Sequence, residues 1–195
     1  MRHVQAPMTV GSAEPSIDIA SLRMTQALRF DISQGLVAVV LSQPARGNPF
    51  DQHLCAELCA IANECSEHPQ VCAVLIRAEG KYFSVGADLK WMSDTRAGLP
   101  RLLKDATSKL HMAISRLARA DAPVVIAVHG LAAGRASALT AMADFALAGT
   151  AAKFYAAYNR IGFVADGGGS YSFAAPGRQS QGGGVPQAQF TQAIG

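Results

Sequence analysis

From Leu28 onward the spacing of apolar and polar positions changes several times, and each change marks an element. Leu28–Ile32 and Leu36–Leu41 are rich in strand formers and are separated by the turn signal Ser33–Gly35. Phe50–Cys65 carries Leu54, Leu58 and Ile61 at helical spacing, with Asp51 as an N-terminal charge. Val71–Ile76 reads as a short buried strand and Gly80–Gly86 as a loop. Leu99, Leu102, Leu103, Ala106, Leu110, Ala113, Ile114 and Leu117 form one stripe, which predicts a long amphipathic helix. Pro123–Val128 is a continuous apolar run, the pattern of a strand covered on both faces. Gly130 and Gly134 lead into an Ala-rich helix, Ala136–Ala143, and then a strand, Phe145–Ala148. Gly167–Gly169 precedes a short helix or turn.

Strands alternating with helices predict an α/β fold with right-handed crossovers. Two loop-to-helix junctions, Phe83–Leu89 and Gly130–Leu139, place small residues where a helix begins. There the first backbone N–H groups lack partners and the helix dipole is positive. Such a place suits an anion or an oxygen that becomes one during reaction.

Composition narrows the classes. Half of the 195 residues are apolar and 16% are charged, as in a packed globular protein. The net charge is +3, too weak to suggest nucleic acid or an anionic membrane as partner. No apolar run approaches the ~18 residues needed to cross a bilayer. Residues 1–23 hold Pro7, Gly11 and Pro15, lack the apolar core of a signal peptide, and are expected to be a disordered or non-native extension. The folded core is expected over 24–173. Residues 174–195, with Gly182–Gly184 and Pro186, read as a flexible tail. All four cysteines fall within Cys55–Cys72, which argues against a secreted disulfide scaffold and for a reducing, cytoplasmic compartment. Cys55 and Cys59 with His53 and His68 raise a zinc site. No Cys-x-x-Cys pair follows, and small buried apolar residues is the plainer account.

Three ordered segments resemble the enoyl-CoA hydratase/isomerase (crotonase) superfamily. The first is Gly80-Lys81-Tyr82-Phe83-Ser84-Val85-Gly86-Ala87-Asp88-Leu89, similar to GKxFxxGADL. The second is Ala122–Gly130 with Ala143-Asp144-Phe145. The third runs from Ala152-Lys153-Phe154 through Arg160–Phe163 to Asp166–Tyr171. The resemblance covers about Met24 to Phe173. It implies a spiral of ββα units and an acyl-CoA thioester as substrate, with no metal or redox cofactor. It implies assembly as a homotrimer or hexamer. It places the backbone N–H groups of Ala87 and Arg135, flanked by Gly86 and Gly134, on the thioester oxygen as an oxyanion hole. Arg46 and Lys90, near Asp88 and Leu89, match places that offer a cation to the CoA phosphates; solvated surface charge is the other reading.

Hydratases of this family use two glutamates, which fall here on Ala138 and Tyr158. The one remaining carboxylate is Asp166, placed where isomerase branches carry a proton-shuttling acid. One base suffices for a 1,3-proton shift. Phe163, Val164 and Tyr171 would enclose and desolvate it. Capping the next turn is the other role open to Asp166. Asp88 is expected to cap the helix at Leu89, Asp144 to close a helix–strand turn, Tyr158 to form a wall, and His129 to be structural. Trp91 and Met92 either line the acyl pocket or pack their helix. Two departures stand out. Arg135 replaces the family's usual Gly, and a long cation there would crowd the thioester or demand unusual backbone angles. Beyond Tyr171 the family's Leu-Pro-Arg-like continuation and closing helices are missing. Under one choice of GC-rich codons, a one-base frame shift over Phe173–Gly184 can give a family-like reading, so 174–195 is expected to be a frameshift product. The sequence therefore predicts an enoyl-CoA isomerase. The alternative is a truncated or degenerate member that binds acyl-CoA without turnover, or binds nothing. A phosphate-binding or dinucleotide module is the rival from another class, and Gly130–Arg135 fits neither of its motifs.

Overall fold

The computed structural model describes residues 27–96, 98–158 and 162–172, with side chains through Ser170. The expectations for 1–23 and 174–195 lie outside the described residues. Strand β1 (Leu28–Ser33) pairs antiparallel with β2 (Leu36–Leu41), with Ser33 opposite Leu36. The two-residue turn uses Gln34 and Gly35, both at positive φ (49° and 81°), which matches the twist of the strands. A Cβ on Gly35 would sit 2.7 Å from Cys72 Sγ, so no other residue fits there without a shift.

From β2 the chain crosses through α1 (Gln52–Glu67) to β3 (Ala73–Ala78), which is parallel to β2. Helices α2 (Leu89–Asp94) and α3 (Leu99–Leu117) lead to β4 (Val124–Val128), parallel to β3. Next come β5 (Leu131–Ala133), α4 (Arg135–Met142), β6 (Phe145–Ala148), β7 (Lys153–Tyr155) and α5 (Gly169–Ser172). The main sheet has the order β1-β2-β3-β4-β6, and β5 pairs parallel with β7 in a small second sheet. Val37, Val39, Val74, Ile76, Val124 and Ile126 share one core with the buried stripes of α1 and α3.

Three expectations change. In β4 the residues alternate buried and half-buried, so one face is covered rather than both. The stripe of α3 is fully buried only from Ala106 onward. Helix α1 starts at Gln52 because Phe50 is diverted into a bridge with Ala87, its N–H donating to Gly86 O at 2.7 Å.

Candidate functional site

The loop between β3 and α2 is shaped by one buried residue, Asn48. Its Nδ2 donates to the carbonyls of Glu79, Tyr82 and Phe83 at 2.9–3.2 Å, and its Oδ1 accepts from Gln43 N–H at 2.8 Å. Asn48 sits at φ 53°, a left-handed conformation that asparagine tolerates. Ser84 Oγ donates to Asn48 O at 2.7 Å and accepts from Gly86 N–H at 3.1 Å. The path from Asn48 to Ala87 is thus fixed by side chain-to-backbone bonds. Asp88 caps α2, accepting from Trp91 N–H at 2.9 Å, as the sequence predicts.

The second junction is stitched to the first. Ser84 N–H donates to Leu131 O at 2.9 Å and Ala133 N–H donates to Ser84 O at 3.0 Å. A Cβ on Gly86 would lie 2.6 Å from Ala133 O, so glycine is what lets the two backbones meet. Gly134 N–H donates to Tyr155 O at 2.7 Å, and Gly134 adopts φ 52°, ψ −117°. The unusual backbone that the sequence assigned to Arg135 is therefore on Gly134, and Arg135 begins α4 in ordinary geometry. Among the described residues, neither the Ala87 nor the Arg135 N–H donates to a backbone acceptor. Two neighbouring loop ends thus carry unpaired amides.

The Arg135 side chain does not project into solvent or toward the groove. It is 5% exposed, with Nε 2.6 Å from Asp166 Oδ2 and Nη2 donating to Thr107 Oγ1 at 3.0 Å. Tyr158 OH donates to Asp166 Oδ1 at 3.0 Å. Both oxygens of the Asp166 carboxylate are engaged, and its side chain is 20% exposed. The expected apolar enclosure is not what surrounds it: Phe163 and Val164 are 43% and 85% exposed, and the Tyr171 side chain lies outside the described ones. The crowding expected from Arg135 is avoided because a partner carboxylate draws the guanidinium aside. Burial pushes the Tyr158 phenol up past the tyrosine range, and the charge of Asp166 and the bond to it add to that. Its proton stays on. Ala138, fully buried, sits beside Gly167, where a Cβ would be 3.4 Å from the Ala138 Cβ.

A groove of about 540 Å³ opens beside Ala87, lined also by Arg46, Leu89, Lys90 and Trp91. Arg46 is held by two carboxylates there. Its Nη1 is 2.9 Å from Asp51 Oδ2 and its Nη2 meets Asp88 Oδ2. Lys90 is 88% exposed and only loosely paired with Asp94 at 3.4 Å. Trp91 lines the groove, whereas Met92 is buried in packing. His129 Nε2 lies 2.8 Å from Gly80 O, and Asp144 Oδ2 accepts from Val124 N–H at 2.9 Å, in keeping with structural roles.

A profile of the enoyl-CoA hydratase/isomerase family matches residues 31–175. The chain belongs to the enoyl-CoA hydratase/isomerase family. It is 30% identical over 147 residues to a trans-2-decenoyl-[acyl-carrier-protein] isomerase of Streptococcus mutans, covering 73% of this chain and 54% of that protein. It is 27% identical to the 1,2-epoxyphenylacetyl-CoA isomerase of Escherichia coli, over 76% and 57% of the two chains. An enoyl-CoA hydratase structure from Shewanella pealeana superposes with a TM-score of 0.71 at 26% identity, over 80% and 58% of the two chains. One from Polaromonas gives 0.69 at 28% identity, over 75% and 57%. The chain thus spans about half the length of the curated relatives it matches. The fold is crotonase-like. Among the described residues, no helix is long and apolar enough to cross a membrane.

Within this family frame, the sequence reading missed Asn48, Ser84, Thr107 and His111. Asn48 carried a signal, since an asparagine between Gly47 and Pro49 suits a left-handed turn position. The others act through contacts across the fold, and nothing local marks them.

Proposed function

We propose that the chain catalyses double-bond migration in an acyl thioester, through an enolate stabilised by the Ala87 and Arg135 N–H groups, with Asp166 as proton shuttle. One observation carries the reading. The same residue, Arg135, offers an unpaired backbone N–H at one end and touches Asp166 with its Nε at the other. The carboxylate therefore stands within one arginine side chain of the oxyanion position. A thioester oxygen on the two amides would bring its acyl chain toward Asp166. The carboxylate takes a proton from one carbon, the electrons pass into the thioester carbonyl, and the carboxyl group, whose proton exchanges with water, returns a proton two carbons along. Each Asp166 oxygen keeps a lone pair besides the one given to Tyr158 or Arg135. Two preorganised donors at the developing oxyanion are worth about 3–4 kcal/mol each in a dry site.

Hydration is disfavoured by the same residues. Of the two positions where the resemblance expects glutamates, one is the buried Ala138 and the other is Tyr158, whose proton is held. Among the described residues, neither of these two positions offers a carboxylate to activate water. The two isomerases among the similar proteins point the same way. The substrate is an acyl-CoA, its phosphates meeting Lys90 and Arg46 in the groove beside Ala87. The reaction transfers no electrons, so the proposal calls on no redox nucleotide.

One observation favours a second reading, acyl-thioester binding without turnover: the Arg135 guanidinium already occupies Asp166 Oδ2. A 3-enoyl-CoA assay separates the two. The proposal expects conversion to the 2-enoyl isomer, lost at least ~10²-fold in Asp166→Asn, and no hydration of the product. Binding without conversion supports the second reading.

A further inference from the structure

Helix α3 presents two hydrogen-bond acceptors to the site, and the mechanism above uses neither. Thr107 Oγ1 accepts from Arg135 Nη2 at 3.0 Å. His111 Nε2 accepts from Gly167 N–H at 2.9 Å. Residues four apart lie on one helical face, so both act from the same side.

Each holds a different part of the Asp166 assembly. Thr107 fixes the guanidinium whose Nε grips Oδ2. His111 fixes the peptide that follows Asp166. Glycine suits the turn: Gly167 is at φ 60°, and a Cβ there would come within 3.4 Å of Ile114 Cδ1 and Ala138 Cβ. The turn is closed by Gly169 N–H donating to Asp166 O at 3.0 Å. For Nε2 to accept, the ring must be neutral with its proton on Nδ1. The carboxylate is then located from three sides: Tyr158 on Oδ1, Arg135 on Oδ2, and His111 on the adjoining backbone.

We propose that Thr107 and His111 are positioning residues, which hold the Asp166 carboxylate on the path of the migrating proton. The inference rests on the reading of Asp166 as proton shuttle. Misplacement by ~1 Å can cost 10²-fold in rate, so a carboxylate on a short loop needs such support. Neither residue touches substrate in this account. Their effect falls on kcat and not on binding.

The test uses the full chain with His111→Ala, His111→Gln, Thr107→Val and Thr107→Ser. Turnover of 3-enoyl-CoA is read alongside amide hydrogen exchange at Gly167. His111→Ala and Thr107→Val are expected to lower kcat about tenfold or more, with KM within about threefold. The Gln amide oxygen reaches near the Nε2 position and the Ser hydroxyl keeps the acceptor, so both conservative variants recover most of the loss. Gly167 exchange is expected to quicken about tenfold in His111→Ala and to return in His111→Gln. Unchanged kcat in His111→Ala, or equal losses in His111→Ala and His111→Gln, would overturn the inference. If Asp166→Asn keeps full turnover, or the unmodified chain has none, the proposed function fails instead. Gly167 exchange then decides alone, and exchange unaltered by His111→Ala overturns the positioning role.

Discussion

Arg135 does two jobs in one residue. Its main chain starts α4 and leaves an N–H unpaired, while its side chain neutralises the carboxylate opposite. A charged group placed among small residues at a helix start needs a nearby counter-charge, since an unpaired buried cation is costly. Asp166 meets that need and Thr107 takes a further N–H. Tyr158 completes the cluster, and burial with Asp166 keeps its phenol protonated beyond the usual range. The sign of the resulting pH effect follows. The folded-state value is raised, so Tyr158 contributes stability that is fully present below the ordinary tyrosine value of 10.0 and is lost as pH climbs above it. Tyr158→Phe is expected to flatten the fall of urea stability between about pH 10 and 12. The buried thiols act in the same direction from a lower start. Burial pushes Cys55 up to about 12 and Cys65 up to about 11, so part of the alkaline slope persists in the variant.

At the scale of elements, the loop before α2 and the start of α4 are held by side chains that bond to backbone. Asn48 is the keystone, with four such bonds from a fully buried position. Asn48→Ala is expected to cost about 3 kcal/mol in urea unfolding, because buried carbonyls lose their donors. Asn48→Gly relieves the φ of 53° but restores no bond, so it is expected to fall within about 1 kcal/mol of the alanine variant. Full stability in Asn48→Ala would show that water or other groups replace those bonds. The long elements were legible because their patterns repeat. Leu54, Leu58 and Ile61 did mark α1, and the lower half of the α3 stripe is the part that packs. The three-residue strands β5 and β7 were not legible, since a run that short shows no period. The two loop-to-helix junctions, at Asp88–Leu89 and Gly134–Arg135, were readable from small residues before a helix and from the family motif. Thr107 and His111 were not, since each looks like an ordinary polar residue of an amphipathic helix. The pairing of Arg135 with Asp166, 31 positions apart, needed the fold itself.

At the scale of the whole molecule, the crossovers bring the ends of parallel strands together. The loops after β3 and β4 meet through Ser84 and Leu131, and the chain after β7 returns Asp166 to the same place. Beside the two loop ends, this chain's own residues gather one carboxylate, one phenol and one guanidinium. We propose that a thioester enolate forms there. Washout of the acyl α-hydrogen into heavy water, followed by NMR, reads that step even when net isomerisation is slow. The account predicts deuterium incorporation at C2 of a bound acyl-CoA, slowed at least ~10²-fold in an Asp166→Asn variant that retains the native circular dichroism. Incorporation at the same rate in that variant, or none in the unmodified chain, would contradict it.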